Sequence, residues 1–295
     1  MELRVLRYFL AVAREQSIVR AAQSLHLSQP TLSTQLKALE QELGKQLLIR
    51  GGKGTRKVTL TQEGMILRKR AEEILSLVHK AEREISLSDE AIIGDVYIGA
   101  GETDGVRYLA RAARELYQLY PGIQYHISSG NAEFVTEQLD KGLLDFGMVF
   151  GSVDPTKYHA LSMPFQDVWG VLMRQDAPLA VQKAIRPQDL LDKPLILPSQ
   201  AQSMATLADW FRREPSELEV VATYNLMFNA SLLVEEGLGY TIGLDNIIHT
   251  GTQDSLCFRP QSPERTAQMH LIWKKYQVFS KASEKFLEVI QRMCT

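Results

Sequence analysis

Six polar side chains with hydrogen-bonding or cationic groups follow Ser28 within ten residues. They are Gln29, Thr31, Ser33, Thr34, Gln35 and Lys37. Glutamine can pair with the edge of adenine, and the hydroxyl groups of serine and threonine can bond to any base, when the first turns of a helix enter the major groove of DNA. These residue types therefore favour recognition of a DNA sequence, although an ordinary solvated helix face would show the same polarity.

The surrounding segment, residues 17–40, predicts two short helices joined by a tight turn. Ser17 and Ser28 can each accept a hydrogen bond from the free amides that begin a helix, and Pro30 suits a first helical turn because it lacks an amide hydrogen. Leucines then recur at intervals of four, three and four residues, which predicts a buried stripe along the second helix. That stripe consists of Leu32, Leu36, Leu39 and Leu43.

The charge is divided unevenly along the chain. Residues 1–60 carry ten Lys or Arg against four Glu, a net of +6, whereas residues 89–295 carry eighteen against twenty-six acidic residues, a net of −8. A basic module beside an acidic body is typical of a protein that contacts phosphate groups. Arg50, Lys53 and Arg56 lie around three glycines, which predicts a hairpin tip, or wing, against the DNA backbone; a flexible charged loop is the alternative.

Residues 61–88 predict a single long helix with a seam for dimerisation. From Gly64, small or apolar residues advance by alternating steps of four and three, the spacing of a coiled coil, between charged flanks. The expected dimer contacts are Leu67, Ala71, Ile74, Val78, Ala81 and Ile85. A twofold dimer would bind a roughly palindromic site on double-stranded DNA. The alternative is a helix that packs along its own chain.

From residue 92 onwards, strand and helix patterns alternate. Strands are predicted at 96–100, 123–127 and 146–150, with helices at 106–120 and 132–141 between them. The second part repeats this order. It has strands at 168–173, 195–197, 220–224 and 240–243, helices at 204–213 and 228–236, and a final helix at 279–293. Alternating β and α elements predict a mainly parallel sheet covered by helices.

Residues 1–67 resemble the winged helix-turn-helix of the LysR-type transcriptional regulators. The match includes Phe9, Ser28–Gln29–Pro30, Leu43–Gly44, Leu60–Thr61 and Gly64 at the family's spacing, while Ile18 and Leu48 stand where the family usually has Phe. The resemblance beyond residue 92 is looser and implies a bilobal domain like that of the periplasmic solute-binding proteins. The implied fold is mixed, with a winged helix-turn-helix at 1–60, a coiled-coil linker helix at 61–88 and an α/β effector-binding domain at 92–295. Lobe I would comprise 92–164 and 266–295, and lobe II 165–265, with crossovers near 163–164 and 265–267.

The resemblance also implies roles for individual residues. The start of the second helix would contact base edges or nearby phosphates, and the wing would contact the DNA backbone. The expected DNA contacts are Arg20, Ser28, Gln29, Pro30, Thr31, Ser33, Thr34, Lys37, Arg50, Lys53 and Arg56. The expected partners are promoter DNA, a second copy of the chain in a homodimer, a homotetramer built from such dimers, and RNA polymerase. A small-molecule effector between the lobes would control DNA binding.

Several loops follow the carboxyl ends of predicted strands, where open α/β sheets bind small ligands. The candidate effector contacts are Gly101, Glu102, Thr103, Asp104, Ser128, Gly130, Asn131, Phe150, Ser199, Gln200, Ser203 and Asn225. Some have simpler explanations, because Asp104 and Ser203 can cap helices and Gly130 can form a turn. The charged members are both acidic, so we expect a neutral, zwitterionic or amine-bearing effector; Arg107, which could turn toward the cleft, is the exception to this argument.

Three other functions fit less of the sequence. A solute-binding protein would not need the basic helix-turn-helix, and no stretch has the GxSxG, P-loop or HExxH pattern of common enzymes. Cys257 and Cys294 have neither CxxC spacing nor metal-ligand spacing to histidine, so we expect no metal and no cofactor. A solute-binding protein and a thiol redox-sensing regulator stay as alternatives. No apolar run reaches the length of a membrane span, and we expect a cytoplasmic protein.

Overall fold

The computed structural model describes residues 1–50, 57–86, 92–251 and 253–294. The chain divides into two compact units, Met1–Ser86 and Leu87–Thr295. The predicted tip of the wing, with Lys53 and Arg56, lies outside the described residues.

The first unit contains four helices and a two-stranded hairpin among its described residues. In chain order these are α1 (Leu3–Glu15), α2 (Ile18–Ser24), α3 (Gln29–Leu43), β1 (Leu48–Arg50), β2 (Val58–Leu60) and α4 (Gln62–Ser86). The two strands pair antiparallel, with Leu48 opposite Leu60. The predicted helix-turn-helix followed by a hairpin and a long helix is confirmed.

Both predicted capping serines stand at helix starts. The Ser17 hydroxyl accepts from the Arg20 amide at 3.4 Å, and the Ser28 hydroxyl accepts from the Thr31 amide at 3.2 Å. Each cap satisfies an amide that has no partner inside its own helix, which contributes about 1 kcal/mol. Pro30 lies in the first turn of α3, where it removes no helical hydrogen bond.

The core of the first unit forms between α1, α2 and α3. Phe9, Leu32 and Leu36 are each at most 1% exposed. The prediction that Leu43 belongs to the buried leucine stripe is wrong, because Leu43 is 41% exposed. Leu43 is the last residue of α3, and Gly44 then turns the chain through a left-handed conformation at φ 63°, so the stripe ends before the helix does.

The first part of the predicted seam on α4 is used within the chain itself. Ala71 is fully buried, α4 packs against α1, and Leu67 is partly buried against the core of the first unit. Gly64 packs directly against the backbone of Leu47, because a Cβ at position 64 would lie 2.2 Å from the Leu47 carbonyl oxygen. Ala71 is therefore not available to a partner helix, contrary to the prediction, whereas Ile85 is 85% exposed.

The second unit contains nine strands and five α-helices among its described residues. The strands are β3 (Gly94–Ala100), β4 (Ile123–Ser129), β5 (Phe146–Phe150), β6 (Tyr158–Arg174), β7 (Leu195–Pro198), β8 (Val220–Tyr224), β9 (Tyr240–Leu244), β10 (Leu256–Pro260) and β11 (Thr266–Lys274). The helices are α5 (Val106–Leu119), α6 (Ala132–Asp140), α7 (Ala201–Phe211), α8 (Met227–Glu235) and α9 (Lys281–Met293).

The sheet has two parallel halves joined by long antiparallel strands. Its order is β4-β3-β5-β11-β6-β9-β7-β8, with β10 paired to β6. We call β3, β4 and β5 the first half and β7, β8 and β9 the second half; within each half the strands run parallel. The strand predicted at 168–173 is too short, because β6 runs for 17 residues and passes through the expected crossover near Met163.

Gly64→Ala should destabilise the first unit. The added methyl group would overlap the Leu47 carbonyl, and such overpacking costs about 1–3 kcal/mol, more than the roughly 1 kcal/mol by which alanine favours a helix over glycine. Urea unfolding of the full-length protein measures the change, and Ser76→Ala on the exposed surface of α4 is the matched control. A transition midpoint for Gly64→Ala at or above that of the wild type would contradict this packing.

Candidate functional site

The start of α3 presents a polar face that we call the reading face, made of Gln29, Thr31, Ser33, Thr34 and Lys37. Within it the Gln29 amide donates to the Ser33 hydroxyl at 2.8 Å, and the Thr31 and Ser28 hydroxyls lie 2.7 Å apart. Ser33 is half-buried and the other four members are exposed. The face is rigid at its base, because the leucines on the other side of α3 are buried, and its outer atoms are open to a partner.

Two arginines of the predicted DNA-contact set lie elsewhere in the first unit. Arg20 is exposed at the start of α2, where its guanidinium donates to the Glu15 carbonyl oxygen at 2.5 Å. Arg50, at the end of β1, lies 3.6 Å from the Glu40 carboxylate. That carboxylate also accepts from the amides of Leu47 and Leu48, so Glu40 ties the hairpin to α3 and positions Arg50.

A cavity of about 290 Å³ lies where the carboxyl ends of the strands of both halves meet. Nine of the predicted effector contacts line it: Gly101, Glu102, Thr103, Gly130, Asn131, Phe150, Gln200, Ser203 and Asn225. Three lie outside its lining. The Asp104 carboxylate binds Arg107 at 2.5 Å, Ser128 lies on the outermost strand of the first half, and Ser199 extends β7 by donating its amide to the Tyr224 carbonyl oxygen.

Apolar side chains supply most of the remaining wall, and the prediction did not include them. Residues of this kind include Met148, Val149, Trp169, Leu244, Ile247 and Met269. The rings of Phe150 and Trp169 meet edge to face with centroids 5.9 Å apart. Most of these apolar residues lie within strands or loops rather than at a strand end, so the sequence offered no signal that separates them from ordinary core.

The start of α8 is bonded to a carboxylate from the other half of the sheet. Glu102 follows β3, and its carboxylate accepts from the amide of Met227 and, at 3.4 Å, from that of Phe228. These are the first amides of α8, which have no acceptor inside the helix, and the positive end of the helix dipole favours an anion there. Glu102 thus joins the two halves across the cavity.

A buried carboxylate lies next to Thr103, which lines the cavity. Asp167, on β6, is 4% exposed and accepts a hydrogen bond from the Thr103 hydroxyl. Burial raises the pKa of Asp167 to about 6; the hydrogen bond from Thr103 opposes that shift, and the charges of Asp245 and Asp104 add to it. The described lining of the cavity contains no Lys or Arg, and Arg107 is paired to Asp104 instead.

The two cysteines are in surroundings that disfavour the reactive thiolate. Cys257 is buried in β10 and Cys294 is half-buried after α9, and burial raises the pKa of both thiols. Reactive cysteines usually have a lowered pKa. Over the part of the chain that the structure describes, no group of His, Cys, Asp and Glu is placed to hold a metal ion. Within the same residues, no helix is long and apolar enough to cross a membrane.

The two units together define a helix-turn-helix protein with an α/β ligand-binding body. The family model of the LysR substrate binding domain matches residues 90–295, and that of the lysR-family bacterial regulatory helix-turn-helix protein matches residues 3–65. The chain therefore belongs to the LysR family of DNA-binding transcriptional regulators.

Relatives of known sequence agree with this assignment. The HTH-type transcriptional regulator YvbU of Bacillus subtilis is 26% identical over 99% of both chains. OxyR, a DNA-binding transcriptional dual regulator of Escherichia coli K12, is 32% identical over 67% of this chain and 63% of its own length. The crystal structure of full-length CbnR in complex with its target DNA matches with a TM-score of 0.76 at 21% identity, over 99% of this chain and 100% of that one, and so shares the fold.

The stability of the second unit should depend on pH through Asp167. The folded state favours the protonated carboxyl group of Asp167, because its pKa is higher there than in the unfolded chain. The contribution of this group to the free energy of unfolding is therefore complete below about pH 4 and falls by roughly 2–3 kcal/mol as the pH rises through about 6. Relative to the wild type, Asp167→Asn should therefore gain in unfolding free energy between pH 4.5 and 7.5, measured by urea titration. The exposed Asp192→Asn variant is the control. A difference from the wild type that stays constant with pH would refute the assignment.

Proposed function

We propose that the reading face of α3 recognises an operator sequence and that a small molecule in the cavity controls this binding. The observation that carries the proposal is the polar start of α3, which is capped by Ser28, held by a buried leucine stripe and open on its outer side. Gln29, Thr31 and Ser33 would contact base edges. Pro30 and Thr34 would lie beside them, and Arg20, Lys37 and Arg50 would contact phosphates.

Self-association is the second part of the proposal. The exposed Ile66, Leu77 and Ile85 on α4 can pair with a second copy, taking the role that the sequence had assigned to Ala71. Both outermost strands of the large sheet, β4 and β8, also carry exposed apolar residues, among them Ile127 and Val221. The exposed apolar residues of α4 and those at the edges of the large sheet are separate surfaces on one chain. One of them can form a dimer, and the other can join such dimers into a tetramer. Contact with RNA polymerase stays a prediction.

A thiol redox signal is the alternative to a bound effector, because one relative is OxyR and others are named hydrogen peroxide-inducible genes activators. The raised pKa values of Cys257 and Cys294 favour the small-molecule effector.

Gln29→Ala should relax sequence preference. Loss of a bidentate contact to one base costs about 1–3 kcal/mol of discrimination and leaves the phosphate contacts in place. Binding is measured by gel shift on the DNA upstream of the gene and on single-base variants of that site, at fixed salt. Gln41→Ala, on an exposed position of the same helix, should discriminate like the wild type. If Gln29→Ala kept full discrimination, base reading by this side chain would be wrong.

Peroxide should leave operator binding unchanged. The thiolate fractions of Cys257 and Cys294 are suppressed by burial, so oxidation should be slow and without consequence for DNA binding. Gel shifts of the wild type and of a Cys257→Ser, Cys294→Ser double variant, each with dithiothreitol or hydrogen peroxide, make the comparison. A peroxide response that is present in the wild type and lost in the double variant would establish the redox alternative.

A further inference from the structure

The start of α7 lines the cavity with a hydroxyl group that no described residue accepts or donates a hydrogen bond to. Gln200, at the cap position, makes no capping hydrogen bond with a described residue and instead donates to the Asn225 carbonyl oxygen at 2.8 Å. Ser203, in the first turn, is 4% exposed and lines the cavity, and its hydroxyl has no hydrogen-bond partner among the described residues. A buried hydroxyl in the first turn of a helix, whose first amides have no acceptor inside the helix, is a place for an acceptor atom, above all a carboxylate.

Two other helices, α6 and α8, begin with residues that line the cavity, and the starts of both are already capped, whereas the first residues of α5 lie outside the lining. The Asn131 side chain accepts from the Phe134 amide at 2.9 Å at the start of α6, and the Glu102 carboxylate occupies the start of α8. A ligand carboxylate at either place would displace an internal acceptor, and at α8 it would also meet the charge of Glu102. The start of α7 is therefore the favoured position for a ligand carboxylate.

Two carboxylates in the lining of the cavity favour a ligand with a positively charged hydrogen-bond donor. Glu102 and Glu133 both line the cavity, and the described lining holds no Lys or Arg to neutralise them. A carboxylate that accepts from two helix amides keeps lone pairs for a further donor, and a protonated amine gives charge-assisted hydrogen bonds. The same side chains oppose a ligand with two or more carboxylates.

The space between these polar groups is apolar and small. Phe150, Trp169, Leu244 and Ile247 form much of the wall, and a volume of about 290 Å³ is near the lower end for ligand pockets. A side chain of the size of leucine or phenylalanine suits this wall, and the aromatic rings can also stabilise an adjacent cation.

We propose that the effector is an α-amino acid zwitterion with an apolar side chain. Its carboxylate accepts from Ser203 and the first amides of α7, its ammonium group donates to Glu102 and Glu133, and its side chain packs against Phe150 and Trp169. This inference rests on the proposed function, since it names the ligand of the same regulatory cavity.

The test compares three compounds that share one apolar side chain. L-phenylalanine has both charged groups, phenethylamine has the ammonium group alone, and 3-phenylpropionate has the carboxylate alone; L-leucine, isoamylamine and 4-methylpentanoate form a second set. Isothermal titration on the full-length protein at pH 7.5 should give at least one amino acid a Kd roughly tenfold or more below those of both relatives, since each loses one charge-assisted contact.

Variants assign the two charged groups to their partners. Ser203→Ala should weaken amino-acid binding roughly tenfold and leave the amine unaffected, whereas Glu133→Gln and Glu102→Gln should weaken both. Ser199→Ala, outside the cavity lining, and the exposed Glu264→Gln are the matched controls. Thermal melting without ligand shows whether Glu102→Gln still folds, and Glu133→Gln, which caps no helix, keeps the test valid if it does not.

Three results would overturn the inference: a carboxylate compound that binds as tightly as its amino acid, an amine that does so, or no binding by any apolar amino acid from valine to tryptophan. Gel shifts on the upstream DNA without ligand distinguish a failure of the ligand inference from a failure of the proposed function. Specific DNA binding together with one of these results faults the ligand class alone, whereas absence of specific DNA binding faults the regulator.

Discussion

The bond between the Glu102 carboxylate and the first amides of α8 is the contact on which the chemistry of the cavity depends. It connects the loop after β3 with a helix of the second half, 125 residues further along the chain. By supplying its own anion at that helix start, the protein satisfies amides that a ligand would otherwise bind. The same carboxylate lines the cavity, so one side chain joins the halves of the sheet and, with Glu133, carries the negative charge on which the proposed ligand class rests.

The first unit follows the same principle of fixing one side of an element and leaving the other open. Serine caps and a buried leucine stripe hold α3, while its outer polar atoms are exposed. In α4 the small residues Gly64 and Ala71 allow close packing within the unit, so exposed apolar residues such as Ile85 are the ones free for a second copy. One regularly spaced seam can therefore pack within the unit over its first part and remain exposed, available to a second copy, over its last part.

The sequence predicted the elements well because their signals are local. Capping serines, leucine spacing and the apolar run of β5 each lie within a few residues of what they determine. The cavity was predicted in outline, since loops at carboxyl strand ends converge in any such sheet. Its apolar wall was not, because Met148 or Trp169 has the same pattern as core, and neither was the partner of Glu102, which depends on the fold of distant segments. The exposure of Leu43 and the burial of Ala71 likewise depend on which neighbouring element covers them.

Hydrogen exchange at the amides of Met227 and Phe228 tests the central contact most directly. In the full-length protein at neutral pH, these amides should exchange slowly in the wild type and at least about tenfold faster in Glu102→Ala, because the variant leaves them without an acceptor. Amides in the middle of α8, such as that of Leu232, should change little. Equal exchange at Met227 and Phe228 in the wild type and in a folded Glu102→Ala variant would show that Glu102 does not hold the start of α8 and would contradict the account.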